Sequence, residues 1–289
     1  MRGLLRKPSL RRSEGVVVVE GVEVLASALT AGARVESVFV APGGRVPGGP
    51  VDRALETGAR VFDLAPGVVE RVADTVHPQP VLAVVEFAPV RPDALGPATD
   101  DDLVLVCAEV RDPGNAGTVI RTAHAVGANA VVFAAETVDP RNPKVVRASA
   151  GSIFDVAVIE GGPVLELIGF FRDRGYTTVG ALAHGGVDYV DFDWRRPVAV
   201  VLGNEAAGLA PDVVAALEAA VTVPLAGSAE SLNVSAAAAV LSFEARRQRT
   251  KSDGSARRST GRRGGGSTMP GMKATGTAGT GRTVAASDG

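Results

Sequence analysis

Val223-Pro224-Leu225-Ala226-Gly227-Ser228-Ala229-Glu230-Ser231-Leu232-Asn233-Val234-Ser235, followed by Ala236–Ala239, decides the reading of this chain. A β-branched run stops at a proline. A loop of small and polar residues follows, and an alanine-rich helix starts at once. Ser231 is expected to cap that helix, since a serine oxygen can accept from the free amides of a first turn. Two earlier segments repeat the strand, polar loop, helix layout: Asp112-Pro113-Gly114-Asn115-Ala116-Gly117 with Arg121, and Leu202-Gly203-Asn204-Glu205 with Gly208. Ligands of open α/β sheets bind outside the carboxyl ends of the strands. Three polar loops at such ends predict one site.

Around these loops the pattern is α/β throughout. Strands are expected at Leu103–Val110, Ala130–Phe133, Val156–Ile159, Thr177–Leu182, Val198–Leu202 and Ala220–Val223, with helices over Ala116–Val126 and Leu232–Gln248. A smaller α/β block precedes them. Its strands are Val16–Val19, Val35–Val40, Arg60–Leu64 and Val81–Phe87; its helices are Gly21–Ala31, Val51–Thr57 and Val68–Val76. Pro89, Pro92, Gly96 and Pro97 break the alternation between them. The expected organisation is a basic segment 1–13, a first domain 14–88, a linker 89–100, a second domain 101–249 and a disordered tail 250–289. That tail is rich in Gly, Ser, Thr and Arg and has no apolar periodicity, so it cannot offset its ordering entropy by burial.

Charge divides along the chain. Residues 1–245 hold 20 basic and 30 acidic side chains, whereas 246–289 hold 10 and 2. An acidic body argues against indiscriminate nucleic-acid binding but leaves room for local basic patches. Arg2, Arg6, Lys7, Arg11 and Arg12 form one such candidate. No apolar run is long enough to span a bilayer, and the basic start lacks the hydrophobic core of a secretory leader. A cytoplasmic protein is expected. The single cysteine, Cys107, lies in an apolar strand and reads as a core thiol.

Other chemistries find no support. Gly203 to Gly208 lacks the Lys-Ser/Thr pair of a phosphate loop, and no dinucleotide fingerprint is present. His77, His124 and His184 have no ligand-spaced companions, so no metal is expected. His124 reads as structural or superficial. Ser228 and Ser231 have no histidine in a recognisable relation to them. Arg121 is different. It leaves the apolar face formed by Val119, Ile120, Ala123 and Val126, close to the Asp112–Asn115 loop, and suits a phosphate or carboxylate.

Taken together and in order, the three segments resemble the motifs of the SpoU (TrmH-like) RNA 2′-O-ribose methyltransferases of the SPOUT superfamily. Lys144-Val-Val-Arg-Ala-Ser-Ala-Gly151 resembles the family's stretch between the first two. The likeness covers about 101–249. The first block resembles, more loosely, the family's auxiliary substrate-binding domain, which is similar to small ribosomal proteins. The resemblance implies a trefoil-knotted methyltransferase domain, S-adenosylmethionine as cofactor, and a homodimer with the site near the subunit interface. Carried over by position, Asn115, Arg121, Glu205, Ser231 and Asn233 would serve catalysis or active-site structure. Leu202, Gly203, Val223 and Leu232 would hold the cofactor, with Val223 in place of the commoner isoleucine.

The implied reaction moves a methyl group to a ribose hydroxyl and depends on in-line geometry. A guanidinium does not give up a proton near neutral pH, so Arg121 is expected to hold an RNA phosphate and favour the developing alkoxide. A phosphate oxygen or water would take the proton. Asn115 and Asn233 would orient ribose and arginine, and Glu205 would fix Arg121 as an ion pair. Ribosomal RNA is favoured over transfer RNA. The alternatives are a non-catalytic RNA-binding module of the same fold and a small-molecule methyltransferase.

Overall fold

Runs of valine and alanine build two sheets. The computed structural model describes residues 1–72 and 78–260, with side chains as far as Thr250. His77, the end of the helix expected over Val68–Val76, and residues 261–289 lie outside the described residues.

The first sheet forms from β1 (Val16–Glu20), β2 (Val35–Val40), β3 (Arg60–Asp63) and β4 (Val81–Glu86) in the order β1-β4-β2-β3. Two short helices precede it, α1 (Arg2–Arg6) and α2 (Pro8–Glu14); α3 (Val22–Thr30), α4 (Pro50–Glu56) and α5 (Val68–Val72) are interleaved. One face, with Val17, Val19, Val38 and Ala83, shares a core cluster with Leu25, Ala28 and Ala54. The opposite face carries Val18 and Leu82, which are also buried. There α1, α2 and a helix of the second block pack against β1.

The second block contains β5 (Leu103–Cys107), α6 (Pro113–Val126), β6 (Ala130–Phe133), α7 (Pro143–Ala148), β7 (Ala157–Glu160), α8 (Val164–Asp173), β8 (Thr177–Leu182), β9 (Val187–Asp188), β10 (Val198–Leu202), α9 (Pro211–Ala216), β11 (Ala219–Thr222) and α10 (Val234–Thr260). Its strands pair in parallel, in the order β7-β6-β5-β10-β8-β11-β9. Central strands of a parallel sheet are buried on both faces and read as continuous apolar runs. Accordingly β5 and β10 are buried at every position. Leu105 and Val200 face one core cluster; Val106 and Val201 face the other. The first of these clusters also contains the first sheet's core, so the packing is continuous between the blocks.

Several expectations shift. The strand expected over Leu103–Val110 stops at Cys107, because Glu109 turns the chain at φ 60. The linker is tied to the sheet by Val90, which bridges to Ile159 and donates its amide to the Val158 carbonyl at 2.9 Å. The last helix starts at Val234 and runs to Thr260, taking in eleven residues assigned from composition to a disordered tail. Once a helix is nucleated, each further residue adds one hydrogen bond at small cost, and no proline interrupts this one.

Gly117 allows the close crossing of α6 and α7: a Cβ there would lie 2.5 Å from the Ala148 Cβ and 2.6 Å from the Val145 carbonyl oxygen. At the foot of the sheet, Arg249 of α10 donates to the carbonyls of Asp101, Asp102, Trp194 and Arg196 at 2.8–3.1 Å. The Trp194 indole, fully buried, donates to the Tyr189 carbonyl at 2.7 Å. Arg249→Ala should therefore destabilise the protein by about 2–4 kcal/mol, given the strength of hydrogen bonds to charged groups. A urea unfolding midpoint measures this, and an unchanged midpoint would show the clamp to be superficial.

Candidate active site

Three loops leave the carboxyl ends of β5, β10 and β11, and their side chains meet at Asn115. In the first loop the Asp112 carboxylate caps α6 by accepting from the Asn115 amide at 2.8 Å, with Pro113 in the first turn. This fixes Asn115 at the mouth of the helix. In the second, Asn204 and Gly208 exchange backbone hydrogen bonds at 2.9 Å. The Asn204 Oδ1 accepts from the amides of Ala206 and Ala207, and its Nδ2 donates to the Glu109 carbonyl at 3.1 Å. The loop is thus stapled to itself and to the end of β5.

That staple aims Glu205 at the first loop. Its carboxylate accepts from the amides of Arg111 and Asp112 and from Asn115 Nδ2 at 3.3, 3.0 and 3.1 Å. Partial burial opposes its ionisation, but the bonds from Asn115 and the two amides outweigh it and hold the carboxyl below the usual glutamate range. In the third loop Asn233 Nδ2 donates to Asn115 Oδ1 at 2.9 Å. One carboxamide, that of Asn115, therefore joins residues 90 and 118 positions away.

Asn233 also starts α10. Its Oδ1 accepts from the amides of Ser235 and Ala236 and from the Ser235 hydroxyl, the last at 2.6 Å. It takes the capping role expected of Ser231, because the helix begins two residues later than the alanine pattern suggests. Asn233→Ala should lower stability by about 1 kcal/mol through the lost cap, while Asn233→Asp should keep most of it. Thermal melts of the two variants test this; equal melting temperatures would refute the assignment.

Beside this network lies a cleft of about 220 Å³. Leu202, Gly203, Val223 and Leu232 line it, as do Glu205 and Ser231. Its further walls come from Ala181 and Leu182 at the end of β8 and Ala183 just after it, which complete the enclosure as a fourth segment. Among the described residues, Glu205 is the only charged side chain in its lining. Such a cleft, with apolar walls, backbone edges and one carboxylate, suits a flat neutral group joined to a positive charge. It is unsuited to a phosphate-bearing cofactor, which needs cations or a glycine-rich amide nest.

Arg121 is not in the cleft lining, and it is exposed. The ion pair expected between Arg121 and Glu205 does not form among the described residues. Six residues along a helix correspond to about 9 Å of rise and about 240° of rotation, so Asn115 and Arg121 occupy different faces of α6. The Glu205 carboxylate is instead taken up by the backbone of the first loop. His124 faces Ser152 Oγ at 3.1 Å and Asp155 at 3.8 Å, away from the cleft. Burial pushes the Cys107 thiol up to about 12, so it acts as core packing. No group of three potential metal ligands occurs among the described residues, and no described helix is long and apolar enough to cross a membrane. Sequence reasoning missed Asn204, Ser235 and the Ala181–Ala183 wall. The first two sat inside quoted motifs, but nothing in the sequence distinguished them from ordinary turn residues.

Comparison with known proteins points to a family. Residues 102–243 match the SpoU rRNA Methylase family, and residues 1–83 match the MRM3-like substrate binding domain. The 23S rRNA (guanosine(2553)-2′-O)-methyltransferase RlmP of Bacillus subtilis is 31% identical over 82% of this chain and 90% of its own. The 23S rRNA (uridine(2479)-2′-O)-methyltransferase of Streptomyces viridochromogenes is 38% identical over 60% of this chain, which spans 61% of that enzyme. Among solved structures, the AdoMet-bound rRNA methyltransferase from Sinorhizobium meliloti superposes with a TM-score of 0.76 at 30% identity, covering 85% of this chain and 92% of that one.

Proposed function

The chain belongs to the SpoU rRNA methylase family, and on that premise we propose that it transfers a methyl group from S-adenosylmethionine to a ribose 2′-hydroxyl in structured RNA, ribosomal rather than transfer RNA. The observation that carries this reading is the Asn115 carboxamide, held between Glu205 and Asn233 beside the cleft.

The residues present fit the cofactor. When bound, it supplies a methyl group already activated by a sulfonium charge. A cleft whose sole charged group is a carboxylate favours a cation. Leu202, Gly203, Val223 and Leu232 offer backbone amides and carbonyls, which can read an adenine edge without a charged side chain. Ser231 and Asn115 stand where a ribose hydroxyl would need orientation, and the Glu205 and Asn233 bonds keep Asn115 from turning. Arg121 serves an RNA phosphate and the oxygen that loses its proton.

The exposure of Arg121 also supports a homodimer, in which a second copy of the chain brings cation and cleft together. Phe243 on α10, Val187 and Val190 are exposed apolar side chains that such a contact would cover. We read the loop after β11 and the helix that follows as part of a trefoil knot, and we assign the protein to the cytoplasm, where its substrate would be.

Incubation of the full chain with total RNA and methyl-labelled S-adenosylmethionine tests the reading. Label should appear in ribosomal RNA that nuclease degrades, in an alkali-resistant dinucleotide, because a 2′-O-methyl group removes the hydroxyl that attacks the next phosphodiester. RNA binding with no transfer would favour a non-catalytic module, and a nuclease-insensitive labelled product would favour a small-molecule substrate.

A further inference from the structure

A second cavity, of about 360 Å³, lies between the amino-terminal helices, the outer face of the first sheet and α7. Arg6, Arg11, Lys144 and Arg147 all line it, against one carboxylate, Glu20. Glu20 is held by Arg147 at 3.0 Å. Arg11 is only 2% exposed, hydrogen-bonded to the Leu4 carbonyl at 2.8 Å and facing Asp139 at 3.4 Å. Its buried Nε has no partner among the described residues.

Four cations drawn into one concavity repel each other, and they do so in a body that is otherwise acidic. Concave basic sites focus field and gather anions. The cavity reaches Pro113, the first residue of α6. Pro113 and Asn115 are two positions apart, with Gly114 between them, a span of roughly 7 Å at most. An anion held here is therefore close to any ribose held at Asn115.

We propose that this cavity binds a backbone phosphate of the substrate RNA, next to the nucleotide whose ribose enters the cleft. The inference rests on the RNA-methylation reading. Lys144 and Arg6, both exposed, make the direct contacts; Arg147 reaches the phosphate from its pair with Glu20. The two blocks would then grip one strand across their junction, so that phosphate contacts set the register of the target.

The test uses full-length wild type, Lys144→Ala, Arg6→Ala and the double variant, with Arg172→Ala of α8 as an equal-charge control. Filter binding to purified 23S ribosomal RNA is measured across salt concentrations, and S-adenosylmethionine affinity by calorimetry. Each single variant should reduce the slope of log affinity against log salt by about one. The double variant should bind RNA at least about tenfold more weakly at low salt, with cofactor affinity unchanged and the control near wild type. A double variant with the wild-type slope overturns the site, even if methyl transfer is found. A reduced slope in a protein that transfers no methyl group keeps the site and removes the catalytic reading.

Discussion

Arg121→Ala is expected to lower methyl transfer by about 10²–10³-fold, the usual loss when one preorganised group stabilising a developing oxyanion is removed, while S-adenosylmethionine binds as in wild type. The side chain is exposed and outside the cofactor cleft, so its removal neither opens a core cavity nor alters the cleft lining. Single-turnover transfer beside calorimetry separates the two effects. Arg121→Lys should recover little, because an ammonium cannot span two phosphate oxygens as a planar guanidinium does. Near wild-type turnover in Arg121→Ala would remove this arginine from the reaction.

Gly203→Ala should act in the opposite way, through binding. A Cβ at this position would lie 2.4 Å from the Gly208 carbonyl carbon and 2.7 Å from the Leu209 amide nitrogen. Those are backbone atoms and cannot rotate aside. The Asn204–Gly208 pair must open, which loosens the staple that aims Glu205. Overpacking of this kind costs about 1–3 kcal/mol, so cofactor affinity should fall by up to about 100-fold. Gly15→Ala is the control for folding. Gly15 ends α2 at φ 65, outside the cleft lining and with nothing within 4 Å of an added Cβ, so that variant should lose about 1 kcal/mol of stability to backbone strain and retain most cofactor binding. Equal cofactor affinities for the two variants would refute the steric argument.

The sequence was most legible where one physical demand dominates. Strands buried on both faces need β-branched apolar runs, so β1, β5, β6 and β10 stood out from their valines. Polar loops after such strands located Asn115, Glu205 and Asn233, which the structure brings together. Failures came where two demands compete for one residue. Asn233 both caps α10 and reaches Asn115, so the helix starts beyond Ser231, the residue that looked like the cap. Arg121 and Glu205 have the right charges for a pair, but the helical turn between Asn115 and Arg121 puts them on different faces. Short elements escaped as well. β9 is two residues long and exists only because β11 offers it an edge. The amino-terminal helices α1 and α2 lack a clear apolar period and form against β1.

The meeting of three distant loops at Asn115 has a consequence for biosynthesis. Chains leave the ribosome amino end first, and their earlier parts fold before later ones arrive. Residue 115 emerges more than a hundred residues ahead of Asn233 and Ser235, the last side chains that tether it. An interrupted translation product that contains both sheets but stops short of residue 233 therefore lacks the final bond of the assembly. Only a chain synthesised past its last loop can close the network around Asn115.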